Sequence, residues 1–469
     1  MKKLLLLFAS SIVLLTLSCR KDSFITGKDA LIRLSSDTLF FDTVFTSTGS
    51  ITEAVRIVNI NNQRLRLTDI KLMGGAQSPY SINVDGVAGA ERSNVDLDAG
   101  DSIYIFVAVK IDPGSATLPF VVQDSIAVSF NGRQQYIQLQ AYGQNAHFLR
   151  NQVINTNTVW DRTLPYVVLG SLRVDTGATL TIPAGCRVYF HADAPLLVDG
   201  SLKVTGDHFD STRVWFLGDR LDDPYSKFPG SWPGIYFRES SVASRLSYAV
   251  IRNANQAVVT QAPVVGGQAG LVLDQCIIDN SYDAGLLGIQ GSVQASNCLI
   301  SNCGKNVEIA GGGSYLFEHC TVTSYSNNYI PHTQPVLSVA DVYSPPQGGG
   351  SVSGSVNAAF YNCIFWGSNG TVDNEVTVSR QGTGGFSVGF TNCLWKVKNA
   401  PTGVTVAGMI AGADPMFDSV NASRNYYDLH LKAGSPAIDK GVPTGLTVDL
   451  DGNPRVVGAG PDLGSYERQ

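Results

Sequence analysis

The chain has 469 residues, 44% of them hydrophobic, 15% charged and 48 of them glycine. That apolar share supports packed cores and excludes wholesale disorder, while scarce charge and scattered glycine suit short strands and turns better than long helices. With 33 Lys and Arg against 39 Asp and Glu and no basic stripe, the composition argues against nucleic acid and anionic lipid as partners.

Met1, Lys2 and Lys3 form a short positive region, residues 4–17 are almost wholly apolar, and Ser18 and Cys19 follow. That apolar run is too short to span a bilayer and reads as an export signal. The ending Leu15, Thr16, Leu17, Ser18, Cys19 resembles the lipobox of bacterial lipoproteins, with Thr16 and Leu17 standing where that family usually has Leu and a small residue. The resemblance implies cleavage before Cys19 and acylation of it, and several acyl chains anchor stably. Arg20, Lys21 and Asp22 resemble the export tag of Bacteroidetes surface lipoproteins. Loss of residues 1–18 removes Lys2 and Lys3 and no acid, so 31 cations face 39 acids, a balance of −8. Residues 19–29 then read as a tether.

Residues 30–146 carry period-two strands: Ile103, Ile105, Val107, Val109 and Ile111 share one face, and Asn131 with Gly132 forms a tight hairpin turn. Several such strands over this length predict a β-sandwich. The block from "SSDTLFFDTVFTSTGS" to "AYGQNA" resembles Ig-like N-terminal domains of Bacteroidetes surface lipoproteins, which implies a spacer or assembly unit.

Beyond His147 the texture changes to repeats. Cys276, Cys298 and Cys320 are spaced by 22 residues, Cys363 follows after 43 and Cys393 after 30. Three residues before each stand Leu273, Ala295, Phe317, Phe360 and Phe390; immediately before stand Gln275, Asn297, His319, Asn362 and Asn392; two after come Ile278, Ile300, Val322, Phe365 and Trp395. A period of this length built from short strands and polar corners means a parallel β-solenoid. Equivalent residues of successive coils then stack about 4.8 Å apart, and Asn253, Asn280 and Asn302 form the expected corner ladder. "GATLTIPAGCRVYFHADAPLLVDGSLKVTG" and "WPGIYF" resemble early coils of right-handed parallel β-helix lipoproteins of the pectate-lyase-like architecture. "GSPAIDKG", "DLDGNPR" and "PDLGSYE" resemble the tail that closes many secreted bacterial β-helices, the choice-of-anchor Q type. The fold expected is therefore all-β: an N-terminal sandwich, a right-handed single-stranded parallel β-helix over 147–430, and a C-terminal cap over 431–469.

Chemistry is less legible. Five Cys share one column and no two fall at CxxC spacing, so buried reduced thiols are expected rather than disulfides or a metal site. His319 takes a slot that is Asn or Gln elsewhere and reads as an exposed polar residue of a strand. Asp449, Asp451, Gly452 and Asn453 lack the Glu of a calcium loop, Gly458 standing there, and read as a turn. No cofactor is implied, and calcium has no motif behind it.

Asp274 and Glu318 occupy one outward column two coils apart, about 9.6 Å, close to the carboxyl spacing of inverting glycosidases; they are the catalytic candidates. Tyr361, Trp366 and Trp232 read as outward or rim aromatics: they are either sugar-stacking platforms, Tyr361 and Trp366 above all, or covers for loop packing. Residues 344–354 read as a flexible loop, a lid or an insertion. Triplets starting at Asp37, Asp42, Asp101, Asp124, Asp210 and Asp418 resemble the O-glycosylation signal of Bacteroidetes exported proteins, or simply start strands. The sequence thus points to an outer-membrane lipoprotein facing the exterior. Its partners are the membrane, through the lipid, and a glycan or surface protein bound without catalysis. The alternatives are a polysaccharide lyase or glycoside hydrolase, and a structural spacer.

Overall fold

The computed structural model describes residues 23–46, 49–113, 120–346, 348 and 350–469. The signal segment and Cys19 lie outside the described residues, among which no helix is long and apolar enough to cross a membrane. The chain divides between Asn145 and Ala146 into two compact units.

The first unit is built from two five-stranded sheets. Ser102–Val109 sits centrally in one, paired antiparallel with Glu53–Asn59 and Tyr80–Val84. Its alternation behaves as period two requires: Ile103, Ile105, Val107 and Val109 are buried, whereas Tyr104 and Phe106 face solvent. In the other sheet Phe120–Phe130 turns into Arg133–Gln144 through Asn131 and Gly132, both at positive φ (46° and 71°), the conformation a two-residue hairpin demands. Thr38–Phe45 closes this sheet by running parallel to Arg133–Gln144.

The second unit is a parallel β-helix whose coils each contribute a strand to three ladders. The first ladder is a ten-stranded sheet that includes Leu271–Asp274, Ser292–Ser296, Gly313–Glu318 and Val356–Tyr361. The second includes Ile277–Asp279, Leu299–Ser301, Thr321–Tyr325 and Ile364–Ser368, and the third Gln256–Thr260, Ala284–Ile289 and Lys305–Ala310. At the amino-terminal end Tyr166–Val174 runs through both the second and the third ladder, pairing with Arg187–Phe190 and Leu196–Val198.

Stacking of like on like fills the interior. Leu246, Leu273, Ala295, Phe317, Phe360 and Phe390 form one inward column, and its phenylalanine rings stack at 5.3 and 4.8 Å. Ile251, Ile278, Ile300, Val322, Phe365 and Trp395 form the next. The cysteines of the repeat lie between these columns, and the seven described cysteines are all buried and free. Each thiol of the repeat column points to a carbonyl of the preceding coil: Cys276 Sγ to Leu246 O (3.2 Å), Cys298 Sγ to Leu273 O (3.4 Å), Cys393 Sγ to Phe360 O (3.5 Å). A small side chain that packs as a hydrophobe yet carries a weak donor fits such a corner. Burial pushes the Cys298 and Cys363 thiols well above the usual range. Neighbouring registers place Cys186, Val214 and Ala249 in the same column, extending it three coils upstream.

The residue before each cysteine of the repeat column, like Tyr248 before Ala249, is the pivot from first to second ladder. Tyr248, Gln275, Asn297, His319, Asn362 and Asn392 all have φ between 49° and 55°, a left-handed conformation that Asn adopts most readily among residues with a side chain. This overturns the exposed-strand reading of His319. The ring is fully buried at a corner, with Asn362 Nδ2 2.8 Å from Nε2, and Asp462 O and Arg455 Nη1 at 3.1 and 3.0 Å from Nδ1.

The carboxyl-terminal segment runs along the flank of the helix beside this row of corners. Asn392 Nδ2 donates to Lys440 O, Asn362 Nδ2 to Val442 O and Asn297 Nδ2 to Val448 O, while Arg213 Nη2 donates to Leu450 O. The left-handed pivot aims each amide out of the corner, and the tail's backbone satisfies it. Beneath tail and hairpin (Phe417–Asn421 with Tyr426–Leu431) the outer face of the second ladder is apolar: Leu299, Ile364, Trp366 and Leu394 pack against Phe417, Leu429, Leu431, Leu450, Leu463 and Tyr466.

Two further readings are refined. Asp449 Oδ1 accepts from Asp451 N (3.0 Å) and Asn453 N (2.8 Å), which is the expected turn. Val342–Tyr343 pairs antiparallel with Val352–Ser353, so the segment read as a loop leaves the helix wall on a short two-stranded arm.

Candidate functional site

The outer face of the first ladder carries the polar columns. Thr205, Ser247, Asp274, Ser296, Glu318, Tyr361 and Thr391 follow one another in register, so Asp274 and Glu318 do stand two coils apart. Arg245 Nη2 lies 2.5 Å from Asp274 Oδ2, and the hydroxyl of Ser296, the residue between the two acids, donates to Asp274 Oδ1 at 2.7 Å. Glu318 is half-buried, and desolvation, followed by the neighbouring Cys320, raises its carboxyl above the usual range. Tyr361 sits half-buried on the same face, one coil beyond Glu318.

The adjoining column reads Thr181, Lys203, Arg245, Val272, Gln294. Lys203 and Arg245 are direct partners one coil rise apart; the Arg245 guanidinium is already paired with Asp274, whereas among the described residues Lys203 has no ion pair. A groove of about 710 Å³ opens over them. Its floor is Lys203, Arg245, Ser247 and Gln294, and its wall is the segment around Gly267 and Gln268, where the chain folds back through the Val265–Gln268 bridge. Neither Asp274 nor Glu318 lines it. The arrangement offers cations, hydroxyls and carboxamides to a polar anionic ligand.

The other aromatic candidates are placed differently. Trp366 is 9% exposed and belongs to the apolar cluster under the tail, with the Lys396 ammonium 5.7 Å from its ring centroid. Period-two alternation does point it outward, but a segment from far along the chain covers that face. Trp232 is wholly buried, stacked on Phe190 at 4.4 Å with its indole N–H donated to Arg252 O. Neither tryptophan is a sugar platform. Among the described residues no group of three His, Cys, Asp or Glu is placed to hold a metal ion. The groove residues Lys203, Gln268 and Gln294 were not singled out in the sequence. The signal for Lys203 and Arg245 was their shared column, visible once the first-ladder strands are aligned three residues before each corner.

No family model matches the chain, and no curated protein does. Among solved structures it is similar to a protein of unknown function from Porphyromonas gingivalis W83, with 14% identity and a TM-score of 0.19, over 27% of this chain and 50% of that one. It is also similar to a family 123 glycoside hydrolase from Clostridium perfringens, with 7% identity and a TM-score of 0.18, over 26% and 30%. A PapD-like domain of human CEP192 matches at 7% identity and a TM-score of 0.17, over 24% and 84%. The chain thus spans half or less of the first two of these.

Proposed function

We propose that the protein is a surface-exposed outer-membrane lipoprotein, held by acyl chains on Cys19, whose β-helix binds an acidic glycan on its first ladder without cleaving it. The observation that carries this reading is the registered pair Lys203 and Arg245 in a groove of about 710 Å³ floored by hydroxyl and carboxamide groups. Carboxylates of a uronate, or sulfates, would pair with Lys203 and with the Arg245 donors not turned to Asp274, and amides fix ring hydroxyls. The Ig-like sandwich then serves as spacer between anchor and ligand. Binding is favoured over hydrolysis because Asp274 is engaged by Arg245 and Ser296 and lies, with Glu318, outside the groove.

Affinity electrophoresis through gels containing uronate, sulfated or neutral polysaccharides tests the proposal. Retardation in acidic gels that is lost in the Lys203→Ala/Arg245→Ala double variant is expected. Release of new reducing ends that stops in Asp274→Asn or Glu318→Gln would replace this reading with a glycoside hydrolase.

A further inference from the structure

A second cleft, of about 410 Å³, opens at the corner between the second and third ladders. Asn253, Asn280 and Asn302 line it, one per coil, all at positive φ (63°, 56° and 50°). Their amides begin as a ladder: Asn280 Nδ2 donates to Asn253 Oδ1 at 2.8 Å. The ladder then breaks. Asn302 Nδ2 turns to Asp279 Oδ1 at 3.3 Å, and its Oδ1 accepts from Tyr325 N, so among the described residues no donor reaches Asn280 Oδ1. A closed ladder would use that carbonyl internally; here it is left facing the cleft.

Segments remote from one another in sequence build the walls. On one side Ser226 and Lys227 accept, through their carbonyls, from Asn253 and Asn280. On the other, Asn328 Nδ2 donates to Ser423 O of the carboxyl-terminal hairpin. The Tyr329 ring, held against Phe228 at 5.4 Å between centroids, and the Tyr427 ring, stacked on Tyr325, stand at the cleft. Most of the charges here are already paired within the protein: Arg252 with Asp279 at 3.4 Å and Lys227 with Asp223. The cleft therefore presents carboxamides and tyrosine rings with little uncompensated charge, and its asparagines repeat at the coil rise of about 4.8 Å, close to the length of one sugar ring.

We propose that this corner cleft is a second ligand site, separate from the groove of the first ladder, and that it takes a neutral saccharide. Amide groups supply donor and acceptor to vicinal hydroxyls, and the tyrosines offer apolar faces to the ring. A charged glycan gains little here, since the charged side chains other than Arg424 are satisfied by one another.

The test applies intact protein to immobilised neutral gluco-, manno- and galacto-oligosaccharides beside uronate oligosaccharides. Binding to a neutral set is expected to weaken about tenfold in Tyr329→Ala while persisting in Lys203→Ala/Arg245→Ala. Should Tyr329→Ala fail to fold by circular dichroism, Asn328→Ala, an exposed residue with a single bond to the hairpin, gives the same reading. Absence of neutral binding at millimolar saccharide, or neutral binding indifferent to Tyr329 and Asn328, overturns the proposal. Loss of acidic binding alone strikes at the first-ladder groove and leaves this site standing.

Discussion

Arg455 shows how one buried cation organises a surface strap. Its Nη2 donates to Asn297 Oδ1 (2.7 Å) and Ser465 O (3.0 Å), and its Nη1 lies 3.0 Å from His319 and 3.4 Å from Glu467 Oε2. Glu467 in turn accepts from Val456 N, Val457 N and Asp462 N. Breaking a buried pair leaves the partner charge stranded, so Arg455→Ala is expected to cost about 3–5 kcal/mol in denaturant unfolding. Beside it, burial, followed by the Arg455 guanidinium, holds His319 down at about 3. An unfolded His protonates near pH 6.5, so between pH 6.5 and about 3 the unfolded chain binds a proton that the folded one refuses. The stability tied to His319 is thus complete above pH 6.5 and falls by about 1.4 kcal/mol per unit as the pH drops below it. Melting curves from pH 7 to pH 4 check this, and His319→Asn, which places the residue of the neighbouring corners in the slot, should flatten the dependence.

At the scale of elements, the tail is the part that periodicity conceals. Removal of residues 434–469 strips Leu450 and Leu463, each worth about 1.5–3 kcal/mol when buried, and Tyr466 from the apolar cluster on the second ladder. The truncated protein is expected to melt earlier and bind a hydrophobic dye before melting; unchanged melting would contradict the strap. The inward columns were readable because stacking repeats the same residue types every coil, which is why Cys276, Cys298, Cys320, Cys363 and Cys393 aligned without a structure. The outward side of Trp366 was readable too, but not its cover, since Asn297 and Arg455 meet across 158 residues and no local pattern reports such a contact. His319 was misplaced for a related reason: a polar residue in a strand-rich repeat looks exposed until its left-handed φ of 51° identifies a corner. The Asn ladder was half legible, since its spacing gave the corner but not the break at Asn302. The first-ladder groove was the least legible of all, because its wall comes from an insertion that no repeat predicts.

For the molecule as a whole, an acidic chain that places Lys203 beside Arg245 in a groove of about 710 Å³ would, on the proposed reading, gain selectivity from contrast. The net charge of −6 disfavours polyanions in general, so the proposed attraction is local to Lys203 and Arg245, and salt should weaken it because both side chains are exposed. The most direct measurement is calorimetric titration of a uronate oligosaccharide into the protein, with reducing ends assayed in the same sample. Saturable heat that shrinks with added salt, disappears in Lys203→Ala/Arg245→Ala and leaves the reducing-end count unchanged is the predicted result. Heat that survives the double variant, or reducing ends that accumulate during the titration, would contradict non-catalytic binding in this groove.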